Sequence, residues 1–220
     1  MTLTPLTILL LLYGGFVCAL TLAEYREDRR AQYFFKPACA FGFILIALMS
    51  GALETRYGQI VLAALCLCAA GDVLLLKRNS AAVFLCGMGA FALGHIGYIL
   101  GFIEFGLAAQ PESLSAREYV SAIAFAAILF FLSPLSVVQS VPKKMQIAVI
   151  LYTLIILAMC VLAVLTWNYM IVFAAFLFAV SDHFVGKDRF IERKPWHAFA
   201  ITPLYFGAQA LFALSVTQVL

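Results

Sequence analysis

Charged side chains are scarce in this sequence. Only 11% of its 220 residues are charged, 65% are hydrophobic, and the mean hydropathy is +1.05. A water-soluble domain of this size carries about 25% charged residues. The composition therefore excludes an ordinary soluble enzyme, a disordered chain and a module that binds nucleic acid. It places the chain in a lipid bilayer.

Metal-binding cysteine motifs and a basic leader are also missing. The cysteines all fall within apolar runs, with no CxxC pair and no Cys/His group at metal-ligand spacing. We interpret them as small hydrophobic residues and expect neither a metal nor a cofactor. The first 22 residues contain no Lys or Arg, whereas a secretory signal peptide begins with a basic region. We therefore expect a membrane span there, not a cleaved leader.

Long apolar segments fill most of the chain. A membrane-spanning helix needs about 20 mostly apolar residues, and charged or turn-forming stretches divide the sequence into eight such segments. The sequence therefore predicts an all-α, polytopic membrane helix bundle that forms one integral membrane domain over residues 1–220. The predicted helices are approximately 4–22, 36–53, 57–76, 81–105, 116–138, 146–166, 168–186 and 196–219.

The basic residues are distributed very unevenly between the two sides of this bundle. The loops after the first, third, fifth and seventh helices hold 12 of the 14 Lys and Arg residues. Only Arg56 and Arg117 fall on the other side. Because short cytoplasmic loops are enriched in Lys and Arg, both termini are expected on the non-cytoplasmic side. The protein is expected in the inner membrane if its source is bacterial.

Two acidic residues lie inside predicted spans, where each costs about 2.5–3.5 kcal/mol. Asp72 and Asp182 each stand five residues before a lysine, which puts them about 7 Å inside the cytoplasmic boundary. If they face each other in a poorly hydrated site, both cannot readily be ionised. One would then keep its proton and the other would act as a base. Alternatively, each caps a helix or pairs with the nearby lysine.

His95 is a polar residue deep in the fourth predicted span. A lone histidine on a helix is usually a packing residue, but polar groups in lipid are expensive, so His95 is also a catalytic candidate. Counting from Ala81 places it about 21 Å into the membrane, deeper than either aspartate. We therefore expect no direct contact with them unless the helix tilts or starts later.

Basic residues are concentrated at the cytoplasmic ends of the predicted helices. Such a face is suited to an anionic phosphate headgroup, although similar loops often serve only to set orientation. The residues concerned are Lys36, His183, Lys187, Arg189, Arg193, Lys194 and His197.

Four sequence blocks carry a family resemblance. They are GDVLLL at 71–76, GMGAFALGHIGYILGF at 87–102, SDHFVGKDRF at 181–190 and TPLYFGAQALFAL at 202–214. Together with Lys36-Pro37 at the head of the second predicted helix, these blocks resemble the YhhN family of lysoplasmalogenases. The resemblance implies an eight-helix membrane fold. It also implies hydrolysis of the vinyl ether bond of lysoplasmalogen to a fatty aldehyde and glycerophosphoethanolamine or glycerophosphocholine.

The resemblance also assigns roles to individual residues. It implies Asp72 and Asp182 as the acid/base pair, with His95 beside them, and a lysophospholipid within the membrane as substrate. One aspartate would protonate the vinyl ether and the other would activate water; the oligomeric state stays open. Expected substrate-binding positions are Lys36, Tyr98, Tyr205 and Gln209, to which the basic face adds Arg189.

Two other functions fit the same residues. Intramembrane acids also mark small proton-coupled transporters, but carriers usually place their site near the midplane, between broken helices. The shallow, one-sided position predicted for Asp72 and Asp182 favours an enzyme. A non-catalytic lipid-binding protein would instead tolerate asparagine at both positions.

Overall fold

The computed structural model describes residues 4–77, 80–109 and 135–219, and these residues form helices without any strand. A 3₁₀ turn flanks the last helix on each side, at Pro195–His197 and Val216–Gln218. The helices are α1 (Pro5–Tyr25), α2 (Arg29–Met49), α3 (Arg56–Leu75), α4 (Ala81–Ala109), α5 (Leu135–Ser140), α6 (Lys143–Leu165), α7 (Tyr169–Phe190) and α8 (Ala198–Ser215).

Seven of the described helices are long and apolar enough to cross a membrane, with α8 counted together with its flanking 3₁₀ turns. The protein is therefore a multi-pass membrane protein built from helices, as predicted. Most of the predicted span 116–138 lies outside the described residues, and α5 begins within its last turn. The eighth span and the placement of both termini stay predictions.

Some predicted helix boundaries were wrong. Helix α2 begins at Arg29 instead of residue 36, because the side chain of Asp28 accepts hydrogen bonds from the backbone N–H groups of Arg30 and Ala31. This N-cap allows α2 to begin within a charged stretch whose composition is typical of a loop. Pro37 consequently lies inside α2. At the other end of the chain, α7 continues to Phe190 and passes the predicted end at residue 186.

The narrow divide between the sixth and seventh predicted spans is confirmed. Helix α6 ends at Leu165, and α7 begins at Tyr169. The side chain of Asn168 accepts hydrogen bonds from the N–H groups of Met170 and Ile171. This cap satisfies two of the four N–H groups that a helix start leaves without intrahelical partners.

Helix α8 occupies the interior of the bundle, where it packs against α1, α2, α3 and α7. Two buried hydroxyl groups attach it to its neighbours. Tyr13 of α1 donates a hydrogen bond to the carbonyl of Phe206 at 2.7 Å. The hydroxyl oxygen of Tyr57 on α3 lies 2.6 Å from the hydroxyl oxygen of Ser215. Polar side chains on α8 are therefore held in the centre of the protein.

Helices α3 and α4 approach each other closely along glycines of α4. A Cβ atom at Gly97 would lie 2.9 Å from the Cβ of Ala64, and one at Gly94 would lie 2.6 Å from the sulfur of Cys68. In lipid, helices associate mainly through close packing of this kind. These contacts fix the position of α4, and therefore that of His95, relative to α3.

The contact at Gly97 predicts a specific loss of stability. We expect Gly97→Leu to lower the free energy of unfolding by about 1–3 kcal/mol, because the new side chain overpacks a rigid helix contact. Gly89→Leu is the matched control, since a Cβ at Gly89 has no neighbour within 4 Å. Thermal unfolding of both variants in detergent measures the difference. Equal unfolding midpoints would contradict the close approach of α3 and α4.

Candidate active site

Asp72 lies in the last turn of α3 and is only 2% exposed. The hydroxyl of Tyr205 donates a hydrogen bond to its Oδ2 at 2.6 Å. The Nζ of Lys36 lies 3.7 Å from its Oδ1. A buried carboxyl group is expensive unless it is paired and hydrogen-bonded, and here each oxygen has a partner.

The hydrogen-bond network extends from Tyr205 towards α4. The side-chain amide of Gln209 donates to the hydroxyl of Tyr205 at 3.0 Å. The hydroxyl of Tyr98 donates to the Oε1 of Gln209 at 2.5 Å. Tyr205 and Gln209 are four residues apart on α8, so they lie on one face of the helix. The structure thus brings Lys36, Tyr98, Tyr205 and Gln209 together with Asp72, whereas their roles in binding substrate stay predictions.

Glu24 is a member of this network that the sequence analysis missed. It lies in the last turn of α1, is 12% exposed, and its Oε1 is 3.5 Å from the Nζ of Lys36. The hydroxyl of Thr202 donates to its other oxygen. One ammonium group therefore lies between the carboxyl groups of Glu24 and Asp72. Extending α1 through the charged stretch to Tyr25 would have indicated Glu24 from the sequence.

Asp182 forms a second polar cluster with residues of α4 and α6. The hydroxyl of Tyr152 donates to its Oδ2 at 2.5 Å. The Nε2 of His95 lies 3.3 Å from the Tyr152 hydroxyl and 3.9 Å from the Oδ2 of Asp182. Tyr152 was also missed, although its hydroxyl stands in an otherwise apolar span and needs a hydrogen-bond partner in lipid.

The expectation that His95 lies too deep to meet either aspartate is wrong for Asp182. The rings of Phe84 and Phe190 are 6.0 Å apart, so the start of α4 is level with the end of α7. From that level His95 is about 16 Å deep and Asp182 about 12 Å deep by helix rise. Along the helix axes the two residues therefore differ by only about 4 Å, because α7 continues beyond Lys187 to Phe190.

Both aspartates line a single inner cavity of about 350 Å³. Apolar side chains from α4, α6 and α7 form most of its wall, and Lys36, Tyr152 and Tyr205 contribute polar groups. The ring of Phe178 packs against both clusters, at 4.5 Å from the His95 ring and 5.3 Å from the Tyr205 ring. Each carboxyl group is held by its own tyrosine. The cavity is thus an apolar space that is lined by two separately positioned carboxyl groups.

Arg189 is placed at the edge of this cavity. It lines the wall near the end of α7, and its guanidinium lies 4.5 Å from the centre of the Phe84 ring. Its side chain is exposed. The predicted substrate-binding role of Arg189 is compatible with this position.

Comparison with known proteins identifies the family. The model of the YhhN family matches residues 31–216. The chain belongs to the YhhN family. It is 32% identical over 189 residues to human lysoplasmalogenase TMEM86B. The aligned residues cover 82% of this chain and 71% of the human protein. No solved structure matches it. The network around Asp72 falls within the matched residues except for Glu24.

The position of Glu24 predicts that two glutamates near the end of α1 contribute very differently to the free energy of unfolding. We expect Glu24→Ala to lower the free energy of unfolding by about 1–3 kcal/mol, because Lys36 and Thr202 lose a buried partner. Glu27→Ala is the control, since Glu27 is 55% exposed and pairs with a half-exposed arginine, Arg193. We expect that variant to change stability by at most about 1 kcal/mol. Chemical unfolding in detergent compares the two, and an equal loss would contradict a structural role specific to Glu24.

Proposed function

We propose that this protein hydrolyses the vinyl ether bond of lysoplasmalogen, releasing a fatty aldehyde and glycerophosphoethanolamine or glycerophosphocholine. The observation that carries the proposal is the inner cavity, an apolar space within a membrane protein that holds two carboxyl groups in separate hydrogen-bond clusters. Membership of the YhhN family and identity to a protein named lysoplasmalogenase support a hydrolase that acts on a lipid.

Cleavage of a vinyl ether begins with protonation of its outer alkene carbon, which produces an oxocarbenium ion. The reaction therefore needs a carboxylic acid that is neutral at neutral pH. Lys36 can compensate the charge of one carboxylate, yet it lies between Glu24 and Asp72. Since Asp72 is the more buried of the two, its ionisation costs more. We assign the proton, and the role of general acid, to Asp72.

Asp182 is the corresponding base. Its carboxylate accepts a hydrogen bond from Tyr152, and His95 lies beside both groups, so its orientation is defined before substrate arrives. In this role it stabilises the oxocarbenium ion and accepts a proton from the water that attacks the inner alkene carbon. The product of this addition is a hemiacetal.

Collapse of the hemiacetal returns both aspartates to their starting states. Asp72, now a carboxylate, takes the proton of the hemiacetal hydroxyl. The bond between the hemiacetal carbon and the glycerol oxygen then breaks. Asp182, now protonated, gives its proton to the departing glycerol oxygen. The sum of these steps consumes one water and yields one aldehyde and one alcohol.

The two aspartates are expected to be essential for activity. We expect Asp72→Asn and Asp182→Asn each to lower kcat for lysoplasmenyl-ethanolamine by a factor of about 10² to 10⁴, because each removes a proton-transfer group. Glu104→Gln is the control. Glu104 lies on α4, pairs with the exposed Arg56 and lines neither cavity. Aldehyde release by purified protein in detergent measures the effect.

Two results would count against this proposal. Absence of aldehyde release by the wild-type protein would remove the hydrolase function. Activity retained in either asparagine variant, with folding equal to wild type, would remove the acid/base assignment while leaving the function.

Isotopic labelling tests which carbon is protonated and which carbon–oxygen bond breaks. In D₂O we expect one deuterium on the carbon next to the aldehyde carbonyl, because the acid protonates the outer alkene carbon. In H₂¹⁸O we expect no label in the glycerophosphoethanolamine, because water attacks the alkene-derived carbon and not the glycerol carbon. Mass spectrometry of both products gives the answer, with free aldehyde incubated in D₂O as the control for exchange. Label in the alcohol would exclude the mechanism.

A further inference from the structure

A second cavity of about 480 Å³ adjoins the inner cavity at the charged end of the bundle. We call it the mouth cavity; its wall comes mainly from the end of α7 and the segment that leads into α8. Lys36 and Arg189 line both cavities, so they lie where the two spaces meet. An amphiphilic molecule can therefore extend from the apolar inner cavity into the polar mouth.

Each carboxylate that lines the mouth cavity already has a side-chain partner among the described residues. Glu24 pairs with Lys36. The other three pairs are Glu27 with Arg193 at 2.7 Å, Glu192 with Lys194 at 2.8 Å, and Asp188 with His197 at 2.9 Å. None of these carboxylates is left to bind an ammonium group of a ligand.

Two cations of the mouth cavity differ from the rest in their lack of a carboxylate partner among the described residues. Arg189 and Lys77 line the mouth, and neither has a carboxylate within ion-pair distance among the described residues. The guanidinium of Arg189 lies 4.5 Å from the centre of the Phe84 ring, a contact made by the face of the guanidinium and not by its N–H donors. A guanidinium matches the oxygen geometry of a phosphate and binds it through two hydrogen bonds.

We propose that the mouth cavity binds the phosphate of a lysophospholipid through Arg189. The substrate class rests on the proposed function. The assignment follows from the charge balance of the cavity: its unpaired charges are positive, and each of its carboxylates is occupied. Lys77, which lines the same cavity, adds positive potential.

Binding of lipids that are not cleaved tests this site directly. The probes are 1-alkyl-lysophosphatidylethanolamine, 1-alkyl-lysophosphatidylcholine and 1-alkylglycerol, each titrated into the full chain in detergent. We expect the two phospholipids to bind with Kd values within about threefold of each other. We expect 1-alkylglycerol to bind at least about tenfold more weakly, the effect of one charge-assisted interaction.

Variants then assign the effect to Arg189. We expect Arg189→Gln to weaken binding of both phospholipids about tenfold and to leave 1-alkylglycerol unchanged, which also shows that the variant is folded. Lys187→Gln is the matched control. Lys187 is two residues away on α7, packs over Phe184 and lines neither cavity. An equal effect of the two variants, or an effect of Arg189→Gln on all three lipids, would overturn the proposal.

Competition distinguishes a lipid headgroup from free phosphate. We expect glycerophosphoethanolamine to displace the bound lysophospholipid, and inorganic phosphate at the same concentration to displace it far less. Equal displacement by inorganic phosphate would overturn the assignment to a lipid. Because these measurements need no turnover, a negative aldehyde assay would refute the proposed function while leaving the phosphate site to be judged separately.

Discussion

The position of the Lys36 ammonium between Glu24 and Asp72 is the interaction on which the site depends. Its partners come from α1 and α3, and Thr202 of α8 donates to Glu24 on the far side. Charges in a membrane interior are tolerated only in such groups. The same arrangement that holds four helices together also leaves one more carboxyl group than cations. The proposed mechanism assigns a proton to Asp72 on the basis of this imbalance.

Tyrosines determine how the two aspartates are presented. Tyr205 reaches Asp72 from α8, and Tyr152 reaches Asp182 from α6, so each carboxyl group is fixed by a helix other than its own. Phe178 packs against both clusters and keeps its neighbours in place. Because the carboxyl groups do not share a tyrosine, their protonation states can differ. Acid/base catalysis by two aspartates requires that difference.

Hydropathy and the cost of charge in lipid were enough to predict the helical membrane fold and to select Asp72 and Asp182 as unusual residues. Sequence reasoning missed Glu24 because the predicted first helix ended at residue 22, whereas α1 continues to Tyr25. It missed Tyr152 because only a tertiary contact gives that hydroxyl its partner. The depth of His95 was counted along its own helix, yet the offset between α4 and α7 decides which residues meet. Offsets between helices are not encoded in periodicity.

The two cavities also explain why a reaction of this kind suits a membrane interior. A vinyl ether is stable in neutral water and reacts with acid, so an enzyme needs a carboxylic acid that stays neutral without a low bulk pH. In the proposed mechanism, the buried side chain of Asp72 is this acid. The inner cavity accepts an alkyl chain, and the mouth holds charged groups. Since Lys36 borders both, an amphiphile with its phosphate in the mouth would place the bond next to the headgroup beside the aspartates.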